Sequence, residues 1–155
     1  MKYTPREADP LFDSLEPVIR GLGMSLVELT VSRHRGSTHI RAVVYKAGVG
    51  LEDCSRAHHA ILPRLELAFS RTEKAEELSV EVSSPGIERL IKDGAEFVHY
   101  RGRGIRCFRT DIFDWTGGIL RSADEKGLVL QGREGLVALG YDVIAKAKLD
   151  YSQEV

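Results

Sequence analysis

The sequence predicts an α+β chain of two domains. A two-layer α-β-β-α-β domain is expected over residues 1–84, and a small SH3-like β-barrel with a bridging segment over residues 85–155. Three observations predict this. Apolar residues recur at three- and four-residue spacing in two segments of the first half, and alternate at a spacing of two between them. A Ser83-Ser84-Pro85-Gly86 turn then interrupts the pattern. Beyond it come about five short apolar runs in roughly 50 residues, separated by Gly and Asp, which is the texture of a small barrel.

The first helix is expected from Asp9 to Leu22. Asp9 suits the N-cap, Pro10 suits the first helical position, and Leu11, Leu15, Val18, Ile19 and Leu22 form one stripe. Pro17 should kink it, and Gly21 and Gly23 should stop it. Met24 to Arg33 alternates as a strand, Arg33 to Ser37 reads as a hairpin loop, and Thr38 to Lys46 returns. The second helix runs from Leu51 to Phe69. Glu52 and Asp53 lie in its first turn, and Ala57, Ile61, Leu65 and Ala68 lie on its apolar face with Cys54 and Leu62 near the same side. Pro63 should bend it. Arg71 to Glu77 is a charged connector, and Leu78 to Val82 is the third strand.

After the turn, Asp93 to Tyr100 reads as one or two helical turns. Strands follow at Ile105–Arg109, Gly117–Leu120, Gly127–Leu130, Gly135–Leu139 and Ala145–Leu149, with a helical turn at Tyr141–Ile144 before the last. A barrel this small is marginal alone and should pack against the bridging segment.

Composition bounds the function. The chain has 155 residues, 43% hydrophobic and 29% charged, with a net charge of −1. That balance excludes a disordered chain, and the apolar runs are far too short for a membrane helix. The first residues carry no secretory pattern, and two cysteines cannot form a disulfide framework, so a cytoplasmic setting and no membrane are expected. No heptad or long apolar strip is visible, so a monomer is expected. A net negative charge means that any nucleic-acid contact must use a local patch.

Two such patches are candidates. Arg101, Arg103, Arg106 and Arg109 fall within nine residues and could fork onto phosphates. Arg33, Arg35 and Arg41, with His34 and His39, sit at or beside the hairpin tip, where loops contact RNA backbone. Both runs also suit an ordinary solvated surface. Cys54 and His58 share a helix face beside His59, but metal binding would need further ligands, and a half-buried cysteine beside surface histidines is the plainer reading. No nucleophile elbow, phosphate loop or dinucleotide motif is present. No cofactor and no catalytic residue is expected. Glu88 and Arg89 should pair locally, and Trp115 and Tyr141 suit the barrel core or rim, although either ring could stack on a base.

Val82-Ser83-Ser84-Pro85-Gly86-Ile87-Glu88-Arg89 closely resembles the interdomain signature of the RimP family. Weaker matches stand around it in order: Leu15-Glu16-Pro17-Val18, Leu26-Val27-Glu28-Leu29, Leu51-Glu52-Asp53-Cys54-Ser55, Gly118-Ile119-Leu120 and Asp142 to Leu149. The resemblance runs from about Leu11 to Tyr151. Leu90 stands where the family commonly has proline, and Tyr45-Lys46 where it usually has an acidic residue. The resemblance implies an N-terminal α/β domain, an SH3-like barrel, and Ser83, Ser84, Pro85, Gly86, Glu88 and Arg89 as the junction. It implies a non-enzymatic assembly factor for the small (30S) ribosomal subunit, with ribosomal RNA and a small-subunit ribosomal protein as partners. The alternatives are a regulatory Sm-like or SH3-like RNA-binding module not tied to ribosomes, and a hydrolase or metal enzyme built on Cys54, His58 and His59.

Overall fold

Asp9 starts the first helix as expected. Its carboxylate accepts from the backbone N–H groups of Leu11 at 3.0 Å and Phe12 at 3.4 Å. Helix α1 spans Pro10–Gly21 in the computed structural model, which describes residues 1–69 and 77–154. It ends where Gly23 takes a φ of +80°. Strand β1 (Ser25–His34) and strand β2 (Ser37–Tyr45) pair antiparallel, His34 opposite Ser37. The expected five-residue loop is therefore a two-residue turn. Arg35 and Gly36 both take positive φ, +45° and +80°, the signature of the turn whose twist matches its strands.

Helix α2 (Leu51–Phe69) carries the chain across to β3 (Glu77–Ser83), which lies parallel to β2 in a sheet ordered β1-β2-β3. Leu15 and Ile19 of α1 and Cys54, Ala57, Ile61 and Leu65 of α2 share one core with Leu26, Ile40, Ala42 and Val44 of the sheet. Ala68 is exposed; Phe69 packs on the core in its place. The helices continue through both prolines. Pro17 and Pro63 are both exposed, so each stands on the solvent side of its helix, where a missing ladder N–H costs least. The connector expected over 71–77 lies outside the described residues except for Glu77, which begins β3.

Past the turn, Gly86 takes the positive φ expected of it, +82°. A short strand β4 (Leu90–Ile91) leads to a 3-10 helix, Gly94–Tyr100, capped by Asp93. Strands β5 (Gly104–Arg109), β6 (Asp114–Ala123), β7 (Gly127–Gly132), β8 (Gly135–Gly140) and β9 (Ile144–Leu149) follow, with 3-10 turns at Tyr141–Val143 and Tyr151–Glu154. The six strands form one antiparallel sheet ordered β4-β9-β5-β6-β7-β8. Every strand expected here is present; β4 and the full length of β6 were not expected. Phe97, Tyr100, Ile105, Cys107, Leu120 and Leu130 are fully buried.

The chain divides into two units, Ala8–Pro85 and Gly86–Val155, and the second also holds Met1–Glu7. The boundary expected at residues 84/85 therefore needs correcting at the amino end. Thr4 N–H donates to Asp93 at 2.9 Å, and Gly94 N–H donates to the Lys2 carbonyl at 2.8 Å. The Tyr3 ring stacks on Tyr141 at 5.9 Å, and Phe97 stacks on the same ring at 6.1 Å. These polar and aromatic contacts have no periodicity, which is why composition alone assigned the segment by position. No helix among the described residues is long and apolar enough to cross a membrane.

Candidate nucleic-acid interface

Alternation along β5 sends Ile105 and Cys107 into the core and puts Arg106 and Phe108 on the other face. Register then builds a surface from three strands. Phe108 lies opposite Trp115 of β6 and Lys146 of β9; Arg106 lies opposite Gly117 and Lys148. The Phe108 and Trp115 rings meet edge-on at 5.5 Å, and Phe113 meets Phe108 edge-on at 6.4 Å. Three cations converge on the single indole of Trp115: Arg106 at 5.0 Å, Lys146 at 5.5 Å and Lys148 at 5.8 Å from its ring centre. The ring quadrupole attracts each cation, yet the three repel one another, so the face favours an incoming anion.

The acids around this face are already engaged. Asp114 accepts from the Trp115 N–H at 2.7 Å. Asp150 lies 4.0 Å from Arg106 Nε, but its oxygens accept from Ser152 at 2.6 Å and Gln153 at 2.9 Å. Those bonds hold the Asp150 carboxyl below its ordinary value. Arg106 Nε is buried with no hydrogen-bond partner among the described residues.

The arginine run from 101 to 109 is thus not one patch. Arg103 donates to Glu154 at 2.6 Å and lies 4.6 Å over the Tyr151 ring. Arg109 forks onto Asp111 at 3.0 and 2.6 Å and reaches Thr116 at 3.4 Å. Those two fasten the sheet to its own loops. Arg101 is exposed, and only Arg106 joins the aromatic face. The hairpin cluster is divided too. Arg33 lies over the Phe69 ring at 5.5 Å, on the helix side. Alternation sets His39 and Arg41 on the opposite side of the sheet, where His39 meets Ser79 at 3.1 Å and Glu81 at 3.5 Å. Arg35 stands exposed at the tip.

At the junction, Arg89 pairs with Glu96 rather than with Glu88, which is exposed. Tyr100 donates to the same carboxylate at 2.8 Å. Ser84 and Pro85 are half-buried, and the Ser83 hydroxyl is buried with no partner among the described residues. Tyr141 belongs to the core, where burial first and then nearby Asp124 push its phenol up to about 12. Trp115 is instead the centre of the cationic face. Cys54 is buried, and His58 pairs with the Val80 carbonyl at 3.2 Å. Among the described residues no three His, Cys, Asp or Glu side chains gather where a metal could sit.

Phe108, Phe113, Lys146 and Lys148 were missed from sequence. The alternation Lys146-Ala147-Lys148 marks an outward cationic row on β9, but its alignment with Phe108 and Trp115 depends on strand order and register.

A family model described as the RimP N-terminal domain matches residues 14–88. A ribosome maturation factor RimP from Borrelia recurrentis is 31% identical over 140 residues, 90% of this chain and 93% of that protein. Those from Borrelia turicatae and Borrelia hermsii are each 27% identical over the same shares.

Proposed function

The chain belongs to the RimP family, and from that premise we propose that it acts in ribosome maturation, as a non-enzymatic assembly factor for the small (30S) subunit. It binds the immature particle in the cytoplasm as a monomer, through ribosomal RNA and a small-subunit ribosomal protein. In this reading the six-stranded sheet is the family's SH3-like barrel. The observation that carries the RNA half is the face on which Arg106, Lys146 and Lys148 surround Trp115. It supplies local positive charge to a chain whose net charge is −1, which is what phosphate contact requires. Two units touching one particle together gain avidity that neither needs alone.

Co-sedimentation of the purified protein with separated subunits and complete ribosomes tests the proposal. Selective migration with free small subunits is expected. Binding should weaken with salt, less steeply than for a pure phosphate binder. Equal migration with every particle, or with none, overturns it.

A further inference from the structure

We propose that the face formed by β9, β5 and β6 binds an unpaired RNA strand, stacking a base on Phe113 and seating its phosphates among Arg106, Lys146 and Lys148. This deepens the RNA half of the reading above. It concerns what form of RNA the face takes.

The β5–β6 hairpin carries the argument. Phe113 is 82% exposed and takes a φ of +53°, a conformation that side chains other than glycine and asparagine rarely adopt. Neighbouring Ile112 is 52% exposed. A soluble surface gains nothing from an aromatic ring held out in a strained backbone, and such outliers concentrate where ligands are met. The loop is also braced. Arg109 forks onto Asp111, two residues before Phe113, and the Phe113 ring leans edge-on against Phe108. One aromatic ring separates Phe113 from Lys146: Phe113 lies 6.4 Å from Phe108, and Lys146 Nζ lies 5.9 Å over Phe108.

This division of labour selects the ligand. The indole face of Trp115 is occupied by cations, so Trp115 gathers charge, and Phe113 is the ring left open for stacking. A paired A-form helix buries its base faces and offers a surface mainly phosphates and sugars. It could use the lysines but not the Phe113 ring. An unpaired strand uses both, because every base has a face to stack and a phosphate beside it. A protein partner would suit the apolar tip but would leave the cations facing no polyanion.

Fluorescence anisotropy with a labelled single-stranded RNA of about 12 nucleotides, and with the same sequence as a duplex, tests this. The single strand should bind more tightly. Phe113→Ala should weaken it by about tenfold or more, and Phe113→Leu nearly as much, while Phe113→Tyr restores it. The double variant Lys146→Ala/Lys148→Ala should lower the salt slope by about 0.7 per charge removed. Phe113 is exposed, so these variants should fold, with circular dichroism as the control. Equal affinity for duplex and single strand overturns the proposal. So does a Phe113→Ala protein that keeps its RNA affinity but loses subunits on a gradient, since the tip would then meet a ribosomal protein. Retained single-strand preference without subunit binding leaves this inference standing and defeats the maturation reading instead.

Discussion

Tyr141 and Cys107 sit in the core of the same unit, and each turns burial into a measurable property. The Tyr141 hydroxyl donates to the Asp124 carbonyl at 2.6 Å while its ring stacks with those of Tyr3 and Phe97. Tyr141→Phe keeps the ring and removes that hydrogen bond, so urea unfolding should register a loss of about 0.5–1.5 kcal/mol with RNA affinity unchanged. The ring also explains Gly94: a Cβ there would come within 2.7 Å of it, so Gly94→Ala should destabilise the same unit. Burial pushes the Cys107 thiol up to about 12. A maleimide should therefore leave Cys107 unlabelled at neutral pH until the protein unfolds. His99 responds to acid. Burial lowers its pKa below the ordinary 6.5, more than nearby Glu96 restores. The fold favours neutral His99, so its contribution is full above pH 6.5 and is lost as pH falls through the lower folded value. Urea midpoints measured against pH should show this step, and His99→Gln should remove it.

The β1–β2 hairpin is an element whose turn chemistry disagrees with its sequence. Its geometry asks for positive φ at both central positions, and Arg35 meets that demand at +45° without the freedom of glycine or asparagine. Arg35→Asn should stabilise the protein by about 0.5–1 kcal/mol, read as a rise in the urea midpoint. If subunit affinity drops while stability rises, Arg35 contacts RNA; if only stability moves, its charge is idle. The same hairpin marks where the sequence was legible. Helix α2 falls on its expected ends because its caps and periodicity are local: Gly50 N–H donates to Asp53 at 3.0 Å, a bond that first holds the Asp53 carboxyl low, with Lys46 adding at 3.1 Å. The strands emerged for the same reason. Strand β4, with two residues, carries no period to read. The binding face was hidden for a different reason. Arg103 and Arg109 look like ligand contacts in a basic run, yet Arg103 is held by Glu154, 51 positions along the chain, and Arg109 by Asp111 in the adjoining loop. Lys146 and Lys148 look like solvated charge until register sets them beside Trp115.

At the scale of the whole molecule, the unit Gly86–Val155 holds Met1–Glu7 as part of itself, so that Ala8–Pro85 interrupts it in sequence. Deleting residues 2–7 removes the Thr4–Asp93 and Lys2–Gly94 hydrogen bonds and the Tyr3 ring over Tyr141. Hydrogen exchange should then quicken across β9 and the 3-10 helix Gly94–Tyr100, by about 2–3 kcal/mol of lost protection. The amides of Ala8–Pro85 should exchange as before; quickening there as well would mean that the two units unfold together. The same arrangement sets an order of assembly while the chain is being made. Ala8–Pro85 is contiguous, and every strand it needs has been translated once Pro85 leaves the peptidyl transferase centre. The opening residues must wait: Thr4 meets Asp93 across 89 positions, and the amino group of Met1 meets the Tyr141 carbonyl across 140. Residues Met1–Glu7 are therefore made well before the partners they dock on, and the second unit closes only after Ile144 has been added.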